Sequence, residues 1–238
     1  MTEFETIVYE KKGAVAHVVL NRPRVINVYN MQMRDELYQV LEAVRDDPEV
    51  RVMVLRGAGD RGFCAGADLT EFGTAPSQAI ARRVRWERDV WGLLLNIPKP
   101  SIAALHGFVL GSGVEMALLC DIRIAAEDAV FGMPEVGLGL IPAAGGTQLL
   151  PRILGRATAL DVLLTGRRFS ARDALGYGLV NRVVPRSELD ESAIEMLRSV
   201  LRAPDGAIAA AKRAVHEGLD LRLEDALALE QRLAAGLA

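Results

Sequence analysis

An α/β fold built on parallel strands is what this 238-residue sequence predicts, and three observations carry it. Short runs at 52–55, 102–105 and 122–125 read as strands, the first continuously apolar and the second likewise short and buried, as expected of strands covered on both faces. Segments with helical spacing of apolar residues lie between them, and strands alternating with helices build parallel sheets. The composition, 50% hydrophobic and 25% charged with 22 Gly and 10 Pro, is that of a globular chain long enough to bury a sizeable core.

The elements follow in order. Residues 6–10 and 14–21 are rich in β-branched side chains and flank Lys11-Lys12-Gly13, which reads as a hairpin. Asn21-Arg22-Pro23 breaks the second strand. Asn30 can cap a helix over 31–46, whose apolar face is Met33, Leu37, Val40, Leu41 and Val44; Asp47-Pro48 stops it. After the strand at 52–55, residues 57–66 form a loop. Ser77 can cap one long helix to about residue 95, ended by Pro98 and Pro100. A glycine-rich turn follows the strand at 102–105, with a helix from near Gly113, then the strand at 122–125. In the last third, Ser170-Ala171-Arg172-Asp173 resembles a capping box with Asp in place of Glu. One more strand is expected within 179–184, and helices over 187–202, 205–217 and 223–235. No Ser/Pro-rich linker divides the chain and no tandem sequence repeat stands out. The reading is a core over 1–185 with a helical C-terminal region over 186–238.

Several function classes are excluded or disfavoured. With 28 Lys+Arg against 31 Asp+Glu, the net charge of −3 argues against nucleic acid or an anionic membrane surface as the main partner. Two cysteines, Cys64 and Cys120, without a Cys-x-x-Cys pair exclude a disulfide framework or zinc ribbon and point to a reducing cytoplasm. The start, Met1-Thr2-Glu3-Phe4-Glu5, is acidic and lacks a signal-peptide apolar run, and stretches such as 114–120 are far too short to span a bilayer. There is no G-x-x-x-x-G-K-[ST] loop and no H-E-x-x-H. Gly111-Ser112-Gly113, between Leu110 and Val114, is neither a G-x-S-x-G elbow nor a dinucleotide fingerprint. His17, His106 and His216 lack metal-ligand spacing, and no metal is expected; His17 and His216 read as ordinary strand and helix side chains.

Three segments carry chemistry. Residues 63–69 are small and follow a buried strand, so a ligand could approach the backbone; the alternative is a tight strand-to-helix turn capped by Asp68. In 106–115, a strand feeds a glycine-rich turn that opens a helix, where free N–H groups suit a developing anion. Glu115 lies in that helix's first turn and could equally just complement the dipole. In 131–147, Glu135 follows a proline in an apolar, glycine-rich stretch; a carboxyl there has a raised pKa and suits a general acid, unless it is merely an exposed loop residue. Two carboxylates and two N–H-bearing turns are the parts needed to stabilise an enolate and move protons around it.

Leu20-Asn21-Arg22-Pro23, 63–69, 99–121 and 131–152 resemble, in order and spacing, signatures of the enoyl-CoA hydratase/isomerase (crotonase) superfamily, across about residues 5–230. The resemblance implies a crotonase-like spiral of ββα turns with a helical C-terminal trimerisation region. It implies acyl-CoA substrates, no metal or redox cofactor, and a homotrimer or dimer of trimers. By match to the family motif, Ala67 and Ser112 would supply two oxyanion-hole N–H groups, and Glu115 and Glu135 fall on its two catalytic glutamate positions. Both glutamates together favour hydration of a 2-enoyl-CoA. Isomerisation, or another reaction on a cyclic acyl-CoA, is the alternative; a non-catalytic RNA-binding role fits the acidic balance poorly. Ala65, Gly66, Ala67, Asp68 and Leu69 would line the adenine and pantetheine path. Against the family pattern, Ser112 stands where glycine is usual, Tyr29 where a small residue is usual, and Leu149 where a basic one is common. The chain also stops short of the family's usual C-terminus.

Overall fold

The computed structural model describes residues 4–237, so the acidic start Met1-Thr2-Glu3 lies outside the described residues. The hairpin forms as β1 (Ile7–Lys12) and β2 (Val15–Leu20), paired antiparallel. Parallel pairing then runs from β2 through β3 (Val52–Gly57), β4 (Ser101–Leu105), β6 (Ile122–Ala126) and β9 (Arg182–Val184). A smaller sheet holds β5 (Phe108–Leu110), β7 (Val130–Gly132) and β8 (Arg168–Ser170).

The two sheets are linked by a repeated path. β4 turns at Gly107 into β5 and then α4 (Ser112–Leu119). β6 turns into β7, a 3-10 turn at Glu135–Leu138, α5 (Gly146–Leu154) and α6 (Arg156–Thr165). After β3, residues 62–64 occupy the equivalent place, with Gly62 bridged to Gly107 and Cys64 to Val109. These lead on to α2 (Gln78–Glu87) and α3 (Val90–Asn96). Gly107 takes φ 49°, and a Cβ there would lie 2.3 Å from the Arg61 carbonyl oxygen, so this corner needs glycine. The chain is therefore a spiral of ββα turns.

Burial of both faces explains why residues 52–55 of β3 are apolar without a break. Met53 and Leu55 of β3 join the core shared with α1 (Met31–Asp46), α3 and α4, among Leu37, Leu41, Leu94 and Val114. Val52 and Val54 face the opposite way and meet Ile102, Ile124 and the Leu189, Ala193 and Leu197 face of α8 (Leu189–Leu201). A sheet covered on both faces reads as a continuous hydrophobic run. The capping box closes α7 (Ala171–Gly176), with the Ser170 N–H donating to the Asp173 carboxylate at 3.0 Å and the Asp173 N–H to Ser170 Oγ at 3.1 Å. α9 (Asp205–Gly218) and α10 (Leu223–Ala235) pack on each other. Lys212 of α9 ties this pair to the sheet, donating to Asp121 at 2.7 Å and to the Lys99 carbonyl at 3.0 Å; His216 lies 3.2 Å from the same carboxylate.

The helix expected over 77–95 is two helices. The Asp89 carboxylate accepts from the Gly92 N–H at 3.0 Å and starts α3 afresh, a side-chain cap competing with helix continuation. The strand expected within 179–184 shortens to β9, because the Leu179 N–H (2.8 Å) and Val180 N–H (3.3 Å) are spent on the Ala174 carbonyl at the end of α7. β5, β7 and β8, at three residues each, are too short to carry a periodic signal.

Glu36 fastens α1 to the start of the first strand. Its buried carboxylate accepts from the N–H groups of Glu5 (3.1 Å), Thr6 (2.8 Å) and Ile7 (3.2 Å) and from the Thr6 hydroxyl (2.6 Å). Burial works to raise its pKa, but the Thr6 hydroxyl and N–H with the Glu5 N–H outweigh it, and Glu36 titrates below the ordinary glutamate value of 4.5. Glu36→Gln should cost about 1–3 kcal/mol at neutral pH, read by urea unfolding. A lowered native pKa contributes stability above the unfolded value that is lost as pH falls through the native one, so the gap between wild type and variant should close on acidification below 4.5. A gap that stays constant would refute this role.

Candidate active site

The site is assembled by one strand-to-strand contact. The Cys64 N–H donates to the Phe108 carbonyl at 3.1 Å and the Leu110 N–H to the Cys64 carbonyl at 2.9 Å, so segment 62–66 runs parallel beside β5. Both chains then leave the small sheet at one point, as Gly66-Ala67 and as Gly111-Ser112. On the Ala67 side, the Tyr29 N–H donates to Gly66 and the Asp68 N–H to Tyr29, each at 2.8 Å. This pairing turns the Ala67 N–H away from Tyr29. On the other side, Ser112 is the first residue of α4, where an N–H has no intrahelical acceptor. A Cβ on Gly113 would lie 2.3 Å from the Cys64 carbonyl oxygen; only glycine lets the helix start come this close.

Two carboxyls face this corner. Glu115, one turn into α4 and 2% exposed, accepts at Oε1 from the N–H groups of Ala144 (2.8 Å) and Gly146 (2.9 Å), which brings the loop before α5 against the helix. Glu135 opens the 3-10 turn after β7, and its Oε1 lies 2.7 Å from where a Gly111 Cβ would be. Its Oε2 is buried without a hydrogen-bond partner among the described residues. Burial raises its pKa; its own backbone N–H partly offsets this, and the nearby Glu115 charge raises it further. An unpartnered buried carboxyl oxygen costs stability and calls for a functional reason.

These groups open onto a cavity of about 470 Å³. Ala65, Gly66, Ala67, Leu69, Ser112, Glu115 and Glu135 all line it. Asp68 does not. Its carboxylate accepts from the Thr70 hydroxyl (2.6 Å) and N–H (3.2 Å) and pairs with Arg22 at 3.0 Å, so its side chain clamps the turn, the alternative left open by the sequence. These contacts, led by the Thr70 hydroxyl, hold its pKa below the ordinary aspartate value. Tyr29 also lines the cavity, its ring 5.2 Å from that of Trp91. His106 Nε2–H donates to the Gly59 carbonyl at 2.8 Å and serves the corner after β4.

Sequence reasoning missed Arg34, Arg88 and Trp91 of the cavity wall. Arg34 lies on a helix read only for its apolar face. Arg88 and Trp91 flank the unforeseen break between α2 and α3, and Asp89 was the available signal for that break. Chemically, two outward N–H groups can hold an oxyanion. One carboxyl with a raised pKa, beside a second carboxyl group, can take part in donating and accepting protons at adjacent atoms.

A profile of the family described as Enoyl-CoA hydratase/isomerase matches residues 10–237. The Short-chain-enoyl-CoA hydratase of Clostridium acetobutylicum is 39% identical over 228 residues, 96% of this chain and 87% of that protein. The Crotonyl-CoA hydratase of Syntrophomonas wolfei is 37% identical over 227 residues, 95% of this chain and 87% of that one. The crystal structure of an enoyl-CoA hydratase from Bacillus anthracis superposes with a TM-score of 0.92 at 38% identity, covering 98% of this chain and 90% of its own.

The unpartnered Glu135 yields a prediction opposite in sign to that for Glu36. A raised native pKa contributes stability fully present below the ordinary value of 4.5 and lost as pH rises through the native value. Glu135→Gln, which does not titrate, should therefore be more stable than wild type near neutral pH. The advantage should shrink when both are unfolded below pH 4.5. A variant less stable than wild type at neutral pH would overturn the reading of a strained carboxyl.

Proposed function

The chain belongs to the enoyl-CoA hydratase/isomerase family, and from that premise we propose that it is a hydro-lyase adding water across the 2,3 double bond of an enoyl-CoA. The thioester oxygen sits between the N–H groups of Ala67 and Ser112. A water lies between Glu115 and Glu135. As its oxygen bonds to Cβ, Glu115 takes its proton and the π electrons move onto the thioester oxygen, giving an enolate held by the N–H pair. The enolate re-forms the carbonyl as Cα takes a proton from Glu135. Proton exchange between the two carboxyls restores the starting state, and the net change is addition of one water.

The observation that carries this reading is the pairing of Glu135, half-buried with a buried Oε2 and a raised pKa, with Glu115 on one cavity beside the two outward N–H groups. Isomerisation needs a single proton carrier; the second carboxyl is what activation of a water requires. The chemistry draws only on these residues and the substrate's own thioester. Ala65, Gly66, Ala67 and Leu69 border the path of the coenzyme A arm, with Asp68 fixing the loop.

No helix among the described residues is long and apolar enough to cross a membrane. The free, buried thiols of Cys64 and Cys120 support a cytoplasmic setting. The helical C-terminal region supports self-association as a homotrimer or dimer of trimers, because Leu219 and Leu223 are 80% and 76% exposed on one chain alone. Light scattering should give a trimer or hexamer; a monomer at micromolar concentration would refute it.

Turnover of crotonyl-CoA, followed by loss of enoyl-thioester absorbance, tests the chemistry. Glu115→Gln and Glu135→Gln should each lower kcat by about 10²–10⁴ without unfolding the protein. Ser112→Gly, which keeps the N–H, should stay within about tenfold of wild type, and Ser112→Pro, which removes it, should lose about 10²–10³. Position 112 is the first helical residue, where a missing N–H breaks no intrahelical bond, and the fold of Ser112→Pro is checked by circular dichroism because proline strains the turn at Gly111. Near-native turnover in either glutamate variant, or an acyl adduct on Ser112 by mass spectrometry, would sink the mechanism.

A further inference from the structure

We propose that Arg34 and Arg88 on the cavity wall bind an anionic end of the acyl group, so that the preferred substrate is the CoA monothioester of a short unsaturated dicarboxylic acid. The proposal rests on the acyl-CoA hydratase reading and names the substrate class of that site.

The two arginines come from different elements and share one counter-ion. Arg34 lies in the first turn and a bit of α1, and Arg88 at the break between α2 and α3. Between them stands Asp35. Its Oδ1 accepts from Arg34 Nε at 2.8 Å, and its Oδ2 pairs with Arg88 at 2.7 Å. One carboxylate for two guanidinium groups leaves a surplus positive charge. Each guanidinium carries five N–H donors, and among the described residues no further acceptor meets those of Arg34 or Arg88. Both side chains border the cavity, and that of Arg34 is only 17% exposed.

The cavity these arginines border is otherwise lined largely by apolar and aromatic side chains, among them Phe72 and the Tyr29–Trp91 ring pair. A hydrocarbon tail lying here would strip water from the arginines and give no hydrogen bond in return. A carboxylate matches their planar forks and receives charge-assisted bonds. Asp35 holds both guanidinium groups in place before a ligand arrives, which lowers the ordering cost of binding. The acid is short because Arg34 is close to the reacting corner. It sits about 6 Å along α1 from the Asn30 cap, and the residue before that cap, Tyr29, is bridged to Ala67.

The coenzyme's phosphates are also anions, so the test holds the coenzyme constant. The CoA monothioester of pent-2-enedioic acid and the CoA thioester of pent-2-enoic acid differ only at the acyl end. Wild type should show the higher kcat/KM for the dicarboxylic substrate. In the Arg34→Gln/Arg88→Gln double variant that preference should fall at least about tenfold, and lysine at both positions should recover part of it. The same fall should appear in dissociation constants for the saturated pentanedioyl and pentanoyl thioesters, a measurement that needs no turnover. Any unfolded fraction cancels in these ratios. A wild-type ratio at or below one would overturn the proposal. So would a ratio that the double variant leaves intact while both substrates weaken together, the pattern of arginines that hold the coenzyme. If wild type hydrates neither substrate the hydratase reading fails, and the binding ratio still decides the role of the arginines.

Discussion

The parallel contact of segment 62–66 with β5 is the constraint on which the site depends. Two hydrogen bonds through Cys64 fix the register, and register decides which residues emerge together beyond the small sheet. A slip of one residue would remove Ala67 from Ser112 and turn both N–H groups to other faces. The contact in turn needs Gly113, because α4 starts against the Cys64 carbonyl. The thiol of Cys64 is fully buried there, where burial pushes its pKa up to about 12, so it serves as packing and not as a nucleophile.

The spiral explains why the catalytic parts are scattered in sequence and adjacent in space. Ala67 follows 62–64, Ser112 follows β5, and Glu135 follows β7 within three residues. Each lies just past the small sheet, at the same point of successive turns. A ββα path that returns to the same edge stacks these exits on one another. The turns repeat as backbone while their side chains differ, since each delivers a different part: a donor, a donor with a carboxylate, and a carboxyl. That is why no repeat is legible in the amino acids.

What the sequence made legible follows the strength of local signals. The strands at 52–55, 102–105 and 122–125 declare themselves because both of their faces are buried. Asn30 and the Ser170–Asp173 box declare their helices because a cap is a short-range device. Ala67, Ser112, Glu115 and Glu135 stood out as small, glycine-flanked or oddly placed residues, and they share one cavity. The three-residue strands were illegible because their pairing is entirely long-range. Arg34, Arg88 and Trp91 were illegible for a related reason: nothing local marks a helical arginine as facing a cavity, and the wall exists only once Asp89 has broken the helix.

Glu36 and Glu135 show how one side chain is put to opposite uses. Glu36 is buried and Glu135 half-buried, and desolvation alone would raise both pKa values. Glu36 meets three backbone N–H groups and a hydroxyl, so its charged form is the stable one and it pins β1 to α1. Glu135 keeps an oxygen without a partner among the described residues, and burial together with the nearby Glu115 charge raises its pKa. Supplying the missing donor would stabilise the fold and lower the pKa together, and with it the readiness of Glu135 to give a proton to carbon. The cost in stability and the capacity for acid chemistry therefore have the same physical origin, and neither can be removed without the other.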